Sequence, residues 1–407
     1  MRSIDNPRFP LHDKDMKNPM PSIPLFLAVA IALLSSVPGH ALPNDQVPPQ
    51  TAEAFIDRGV ALGQLGEYES AILYFSEAIR LDPTLAIAFT WRGRVHQVMG
   101  NFDQAIADST EAIRLDPNFP IALNNRGYVH LLMGNLDLAI ADLNQAILID
   151  PNYVTPFNNR GFVHSNMGNH ALAIADFNQA ILINPNYPRV FTNRGTVHRA
   201  MGNYALAIAD HTEAIRLNPN FPTAFSNRGT VHSHMGNHAL AIADFDQAIL
   251  INPNYAAAFT NRGFEHSRMG ILDLAIADFD KAILIDPNNA RAFTNRGLGH
   301  LLLGNLDFAI SDLNQAILID PNNAAAFSNR GGAHVFMGNY ALAIVDLNQA
   351  ILIDPNSAAA LSNRGGAHIM MGNYAMAIAD FEASLLIDPN YTGTRHNLDI
   401  ARQLLGY

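Results

Sequence analysis

The sequence predicts an all-α solenoid built from tandem pairs of helices, because three signals return at one fixed spacing. The dipeptide Arg-Gly recurs every 34 residues, ten times without an insertion. Each 34-residue unit also has a glycine near its middle and a proline near its end. A fixed period of this length is typical of stacked helical repeats. The repeated arginines are Arg58, Arg92, Arg126, Arg160, Arg194, Arg228, Arg262, Arg296, Arg330 and Arg364.

The glycines and prolines divide each unit into a first and a second helix. The mid-unit glycines, from Gly66 to Gly372, are expected to end the first helix in the left-handed conformation. The asparagine that follows, for example Asn101, is then expected to cap the second helix. Each proline stops the second helix, and the next residue, for example Asn118, is expected to cap the following first helix.

With Ala52 counted as the first residue, the chain resembles the tetratricopeptide repeat family over residues 52–389. The resemblance rests on the small residues Gly59, Ala71 and Ala78 of the first unit, with equivalents in later units, and on large apolar residues such as Phe177. It implies a right-handed superhelix of helix-turn-helix repeats. Residues 390–407 are predicted to form a C-terminal capping helix, since a stacked unit cannot leave its apolar face uncovered.

Residues 1–41 are predicted to be a secretory signal peptide. Its apolar core, Ile23–Leu34, is shorter than the roughly 20 residues that a membrane helix needs, and small residues end it at Ala41. Met16 is the expected start, because the residues after it give a short positive segment. Residues 42–51 are a short linker. The prediction is export from a bacterial cell, to the periplasm or the medium; an uncleaved N-terminal membrane anchor is the alternative.

Composition narrows the possible partners. The formal net charge is −11, and Lys281 is the only lysine after the N-terminal segment, so a clustered basic surface for nucleic acid is not expected. Because lysine is so scarce, we also do not expect the dicarboxylate clamp of lysine and arginine side chains with which some family members bind the acidic C-terminal tails of chaperones. There is no cysteine, which excludes disulfides, thiolate chemistry and the lipid anchor that lipoproteins carry on a cysteine.

One face of each first helix is predicted to pack inward and to carry phenylalanine, arginine, glycine and histidine. Nine second helices carry an aspartate, from Asp108 to Asp380, whereas the first unit has Tyr74 there and Leu62 in place of the histidine. Arginine, histidine and aspartate are therefore interpreted as one internal polar network per unit. A metal site is not expected, although His232, His234 and His238 lie close in sequence. Histidines beside aspartates are expected to have raised pKa values, so the array could respond to acid.

The opposite face carries an asparagine in eight units and is predicted to line a concave groove. The chain is similar here to the repeat superhelix of O-linked N-acetylglucosamine transferases, in which an asparagine ladder holds an extended peptide. An amide both donates and accepts, which suits any peptide backbone. The alternative is that these amides bond the neighbouring helix or reflect repeat duplication. The asparagines are Asn125, Asn159, Asn193, Asn227, Asn261, Asn295, Asn329 and Asn363.

Residues beside the asparagines vary and are expected to set specificity. In the last three units the candidate peptide-binding residues are apolar: Leu298, Leu302, Val335, Phe336 and Met370. Middle units offer Arg199, His234 and Arg268 instead. The alternative for the apolar residues is that they are core.

These observations favour a scaffold that binds a protein or peptide partner, without a cofactor. An enzyme is not expected, because no nucleophile with its base and no phosphate loop stands outside the repeated positions. A self-associating structural element is the third class considered; its exposed ends would stack, which the polar C-terminal helix opposes.

Overall fold

The fold is all-α, as the sequence predicts. The computed structural model describes residues 51–391 and 393–406, and within them it contains 21 helices and no strand. The helices alternate between first and second helices of successive units, which is the arrangement of an α-solenoid. None of the helices in these residues is both long and apolar enough to cross a membrane. The predicted signal peptide and linker lie outside the described residues.

Each first helix begins at the first residue of its unit. The first helices are α1 Ala52–Leu65, α3 Ala86–Val98, α5 Pro120–Leu132, α7 Val154–Asn166, α9 Pro188–Ala200, α11 Pro222–His234, α13 Ala256–Arg268, α15 Ala290–Leu302, α17 Ala324–Phe336 and α19 Ala358–Met370. The second helices are α2 Tyr68–Leu81, α4 Phe102–Leu115, α6 Leu136–Ile149, α8 His170–Ile183, α10 Tyr204–Leu217, α12 His238–Ile251, α14 Leu272–Ile285, α16 Leu306–Ile319, α18 Tyr340–Ile353 and α20 Tyr374–Ile387. A last helix, α21, spans Thr394–Leu405.

The chain divides into two compact units. The N-terminal unit ends at Pro219 and the C-terminal unit begins at Asn220, so each holds five helix pairs, which we number as repeats 1–5 and 6–10. In both units the first helices of successive repeats contact each other. Within the described residues, no pair of successive second helices packs as closely. The first helices therefore form the inner, concave side of each unit.

Glycine is required at two places in the repeat, for different reasons. The mid-repeat glycines have φ between 75° and 83°, the left-handed conformation that the sequence predicts for them. A second glycine lies inside each first helix and faces the second helix of the same repeat. A Cβ atom on Gly161 would lie 2.7 Å from the ring of Phe177. The helix pair can approach this closely only because glycine has no side chain.

Two expectations about helix caps are wrong. Asn101 and its equivalents do occupy the N-cap position of the second helix, but their side chains form no capping hydrogen bond. The first helices are capped one residue later than expected, and Asn118 instead donates its backbone N–H to Asp116 in a tight turn, at 3.0 Å. Side-chain caps on later first helices come only from Asn289, Asn323 and Ser357 within the described residues.

The last repeat is covered by α21. Leu398 and Ala401 of this helix pack against Ala377 and Phe381 of α20, so the apolar face that a further repeat would occupy is buried. The outer side of α21 is polar, with Arg395, His396 and other charged residues exposed to solvent. This is the arrangement expected for a cap.

Candidate functional site

An arginine–aspartate pair joins the two helices of nine repeats, as the sequence predicts. In each pair, arginine Nε and Nη2 donate to the two carboxylate oxygens of the aspartate sixteen residues later, for example in Arg160–Asp176 at 2.9 and 2.6 Å. This two-point geometry is the strong form of the interaction. The pairs are Arg92–Asp108, Arg126–Asp142, Arg160–Asp176, Arg194–Asp210, Arg228–Asp244, Arg262–Asp278, Arg296–Asp312, Arg330–Asp346 and Arg364–Asp380.

The same arginines also bind the preceding repeat. In the N-terminal unit, Arg160 Nη1 donates to Asn144 of the previous second helix at 2.6 Å. In the C-terminal unit, Arg330 makes the equivalent bond to Asn314 at 2.6 Å. Seven of these nine guanidinium groups further lie over a phenylalanine of their own helix, with Arg160 5.7 Å from the ring centre of Phe157. These side chains are therefore structural and fully engaged.

The histidines lie beside this network, but in seven of them the pKa shift is opposite to the expected one. His164 Nε2 is 4.0 Å from Asp176, too far for a hydrogen bond. Burial lowers the pKa of these histidines; the aspartate opposes this effect by a smaller amount, and the arginine adds to it. The affected residues are His96, His130, His164, His198, His232, His334 and His368. The aspartate raises the histidine pKa by less than burial lowers it, so the net shift is downward.

In the N-terminal unit, the predicted groove asparagines bond one another. Asn193 Nδ2 donates to Asn158 at 2.8 Å, and Asn159 Nδ2 donates to Asn124 at 2.9 Å. Longer contacts between neighbours, Asn158 to Asn159 at 3.3 Å and Asn124 to Asn125 at 3.5 Å, complete a chain of five amides. Asn125 and Asn159 are buried. In this unit the bonding to a neighbouring helix, which the sequence left open as an alternative, does occur.

In the C-terminal unit, the equivalent asparagines are less engaged. Asn261 accepts a bond from Arg291 at 2.9 Å, and Asn227 is half-buried. By contrast, the Nδ2 atoms of Asn295 and Asn363 have no hydrogen-bond partner within the described residues. Nor is any side-chain hydrogen bond of Asn329 found in that part of the chain. A Cβ atom on Gly366 would meet nothing within 4 Å, so the face is open beside Asn363.

The predicted apolar residues divide into buried and exposed members. Leu298 is buried with Leu301 and Ala333 and contributes to packing between repeats. Val335 is half-buried against the core of the ninth repeat. The remaining three side chains are exposed: Leu302 by 41%, Phe336 by 46% and Met370 by 48%. Only these three, one per repeat, are available to a ligand.

Two arginines and three tyrosines that the sequence did not single out influence one another's pKa electrostatically. Arg94, Tyr128 and Arg189 come from the first helices of repeats 2, 3 and 5, whereas Tyr153 and Tyr187 each precede a first helix.

A buried carboxylate in the seventh repeat was missed as well. Glu265 stands where repeats 2–6 have valine, and it accepts bonds from Ser233 Oγ at 2.5 Å and from His238 Nδ1 at 2.6 Å. Ser233 is bonded to the carboxylate and not to the imidazole, so His238 is not placed to take its proton. Both Ser233 and Glu265 are buried. The three side chains form a structural polar cluster, and the described residues contain no group of three or more histidine, aspartate or glutamate side chains placed to hold a metal ion.

Comparison with known proteins agrees with this geometry. Sequence profiles of the tetratricopeptide repeat match ten segments: residues 52–85, 86–119, 120–153, 155–187, 188–221, 222–255, 256–289, 290–323, 324–357 and 358–391. No curated protein matches the chain.

Several solved structures are similar. The APC/C hetero-tetramer Cut9–Hcn1 is 17% identical with a TM-score of 0.58, over 93% of this chain and 81% of that chain. A tetratricopeptide repeat protein from Parabacteroides merdae is 21% identical with a TM-score of 0.49, over 61% and 98%. YrrB, a tetratricopeptide repeat protein with an unusual peptide-binding site, is 24% identical with a TM-score of 0.37, over 46% and 95%. At these identities the similarity to Cut9–Hcn1 supports the fold alone. Since the profiles cover residues 52–391 almost without a gap, the chain belongs to the tetratricopeptide repeat family.

Proposed function

We propose that the protein is a non-enzymatic scaffold that binds an extended segment of a partner protein along the first-helix face of its C-terminal unit. The tetratricopeptide repeat fold is a protein-interaction fold, which supports the general class. The specific site rests on one observation: the unpartnered amides of Asn295 and Asn363. A donor removed from water without an acceptor costs about 1–3 kcal/mol. A carbonyl group of a bound peptide would remove that cost.

The surroundings of these amides suit a peptide backbone. The terminal torsion of asparagine is soft, so rotation can turn either the donor or the acceptor of each amide toward a segment lying on the face. Gly366 leaves open space beside Asn363, and Leu302, Phe336 and Met370 give one exposed apolar side chain per repeat. In peptide recognition, hydrogen bonds to the peptide backbone commonly give affinity, and contacts with the peptide side chains give specificity. Here the asparagine amides would make the backbone bonds and the apolar residues would select the side chains.

The non-enzymatic assignment follows from the engagement of the repeated polar residues. Arginine, aspartate and histidine, which could do chemistry elsewhere, are partly or fully buried between helices. The remaining cluster, around Glu265, is buried and lacks an exposed nucleophile. We further propose that the scaffold acts outside the cytoplasm of a bacterial cell, in the periplasm or the medium, because residues 1–41 have the pattern of a signal peptide.

The test is a binding measurement with a matched control. Peptides selected from a display library on the full chain are titrated against that chain and against the variant Asn295→Ala, Asn329→Ala, Asn363→Ala. Each lost bond is worth about 0.5–1.5 kcal/mol, so we expect the Kd to rise at least tenfold, which is about 1.4 kcal/mol.

The control variant carries the same three changes at Asn305, Asn339 and Asn373. These asparagines are exposed and form no capping bond with their side chains. We expect the control to bind like the unmodified chain. If the groove variant also binds with unchanged affinity, the site lies elsewhere and the amides are structural.

Self-association is the remaining candidate, and it makes a different prediction. Stacking of chain ends would raise the mass measured by light scattering as concentration rises. The exposed polar side of α21 opposes such stacking, so we expect one mass at all concentrations.

A further inference from the structure

Methionine has an unusual distribution in this protein. It is normally among the residue types most often found fully buried, because its flexible thioether fills gaps in cores. Within the described residues, however, none of the ten methionines is buried, and the cores consist mainly of alanine, phenylalanine, leucine, isoleucine and valine. Packing of the interior therefore does not explain why these methionines are present.

Eight of the ten methionines stand directly before a mid-repeat glycine. This residue is the C-cap of the first helix, and the backbone N–H of Met201, for example, donates to Val197 at 3.1 Å. Because successive first helices pack side by side in each unit, the equivalent side chains form a row at one edge of that unit. We call these residues the methionine row: Met99, Met133, Met167, Met201, Met235, Met269, Met337 and Met371.

The methionine row offers its side chains to solvent, and the fold does not require the thioether. Seven of its members are 40–49% exposed. The eighth, Met99, is half-buried and packs against the core of the first two repeats. In repeat 8, Leu303 occupies the same position and is 44% exposed. Leucine therefore fits this position, so the recurrence of methionine calls for a chemical reason.

That chemistry is the oxidation of sulfur. The chain has no cysteine, so its thioethers are its only oxidisable sulfur. A thioether reacts with a two-electron oxidant such as hypochlorous acid: the sulfur loses two electrons and bonds to oxygen, the O–Cl bond breaks, chloride leaves and the proton is released to water. The product, methionine sulfoxide, is polar and disrupts cores, but an exposed position can tolerate it.

We propose that the methionine row is a sacrificial oxidation site, which consumes hypochlorous acid at the surface and spares the oxidisable residues within the fold. Those residues include Trp91, which is half-buried, and histidines such as His198, whose side chain is 12% exposed. Each thioether takes up one equivalent of oxidant. A methionine sulfoxide reductase can return the product to methionine, so the site is renewable. The proposal is independent of the peptide site in the C-terminal unit.

The test treats the full chain with about five equivalents of hypochlorous acid, which is fewer than the seven exposed members of the row. Peptide mass spectrometry then measures the gain of oxygen at each methionine and at Trp91. We expect sulfoxide at the exposed members, at least about threefold less of it at Met99, and an unmodified Trp91. The midpoint of urea unfolding should be unchanged, and treatment with a methionine sulfoxide reductase should remove the added oxygen.

The informative variant carries Met133→Leu together with the same change at the six other exposed members of the row. Because these thioethers no longer compete for the oxidant, we expect the same dose to modify Trp91 at least about threefold more than in the unmodified chain. The control is Met376→Leu, which makes the same exchange at a methionine outside the row that is 59% exposed. With the row intact, Trp91 should be spared as in the unmodified chain.

Two results would overturn the proposal: equal modification of Trp91 in the row variant and the unmodified chain, or a urea midpoint that falls when the row is oxidised. Equal midpoints of the untreated chains ensure that greater oxidation of Trp91 is not caused by unfolding. If the full row variant does not fold, leucine at Met235, Met269, Met337 and Met371 alone should still raise the modification of Trp91. Failure of the peptide site would leave all these outcomes unchanged, which separates the two proposals.

Discussion

The N-terminal and C-terminal units share one scaffold but differ on their first-helix faces. In the N-terminal unit Asn159 and Asn193 bond the residue just before the asparagine of the preceding repeat, which is Asn124 or Asn158. Repeats 6–10 have serine or threonine at that preceding position, and there Asn295 and Asn363 have unpartnered donors. The repeated asparagine therefore bonds a neighbouring repeat in the N-terminal unit, whereas in the C-terminal unit two of its copies have an Nδ2 donor without a partner within the described residues. The bonding of the repeated asparagine therefore depends on which residue stands at the position just before the asparagine of the preceding repeat.

The largest loss of stability is expected when an Arg–Asp pair is broken. It should be the same in both units, because they share this pair. Asp176→Ala and Asp346→Ala each leave an arginine without its carboxylate in matching surroundings, with about a fifth of the arginine side chain exposed. We expect each to lower the free energy of unfolding by about 3 kcal/mol, measured by urea denaturation. A difference between the two larger than about 1 kcal/mol would mean that the scaffolds are not equivalent.

The second largest loss of stability is expected from changing the residue just before the repeated asparagine, and it should differ between the units. Asn158→Ala removes the acceptor of Asn193 and a partner of Asn159, so we expect a loss of about 2 kcal/mol. The matched change in the C-terminal unit is Ser328→Ala, at a buried hydroxyl without a partner in the described residues, and it should cost less than about 0.5 kcal/mol. Equal costs in urea denaturation would contradict the distinction between the two faces.

These asparagines also mark what the sequence could and could not predict. The 34-residue period predicts the order of the helices and the Arg–Asp pairs, because both depend on contacts within one repeat. The state of Asn159 depends on Asn124, a residue 35 positions away, and a search for repetition overlooks a position that varies. Arg94 was overlooked for the same reason, because only one repeat has arginine at its position.

The third effect on stability concerns a core position of the second helices, at which the fifth repeat carries a histidine. His211 is fully buried where other repeats have phenylalanine, leucine or serine, and its ring meets Gly195 as Phe177 meets Gly161. His211→Phe should therefore fit and stabilise the N-terminal unit by about 1 kcal/mol, since a polar ring is replaced by an apolar one. Phe177→His is the reciprocal control and should destabilise it. A His211→Phe variant with a lower unfolding midpoint would show that the imidazole has a specific role there.

The smallest effect on stability per residue is expected from protonation of the histidines beside the Arg–Asp pairs. Their pKa values are lowered in the folded chain by burial, so the unfolded chain binds protons more readily. The stability that these histidines contribute is complete above the ordinary histidine pKa of about 6.5, and it is lost as the pH falls below that value. The midpoint of urea unfolding should therefore be lower at about pH 5 than at about pH 7.5.

The first repeat supplies the control for this pH effect, because Leu62 already replaces the histidine there. Leucine fits the position without a titrating group, so replacement by leucine at His96, His130, His164 and His198 should reduce the pH dependence of unfolding in the N-terminal unit. The equivalent changes at His232, His334 and His368 should do the same in the C-terminal unit. Both units carry these histidines in the same surroundings, so each replacement should reduce the dependence by a similar amount. If neither set of changes reduces it, acid acts through other groups, and the polar network that the two units share is insensitive to pH.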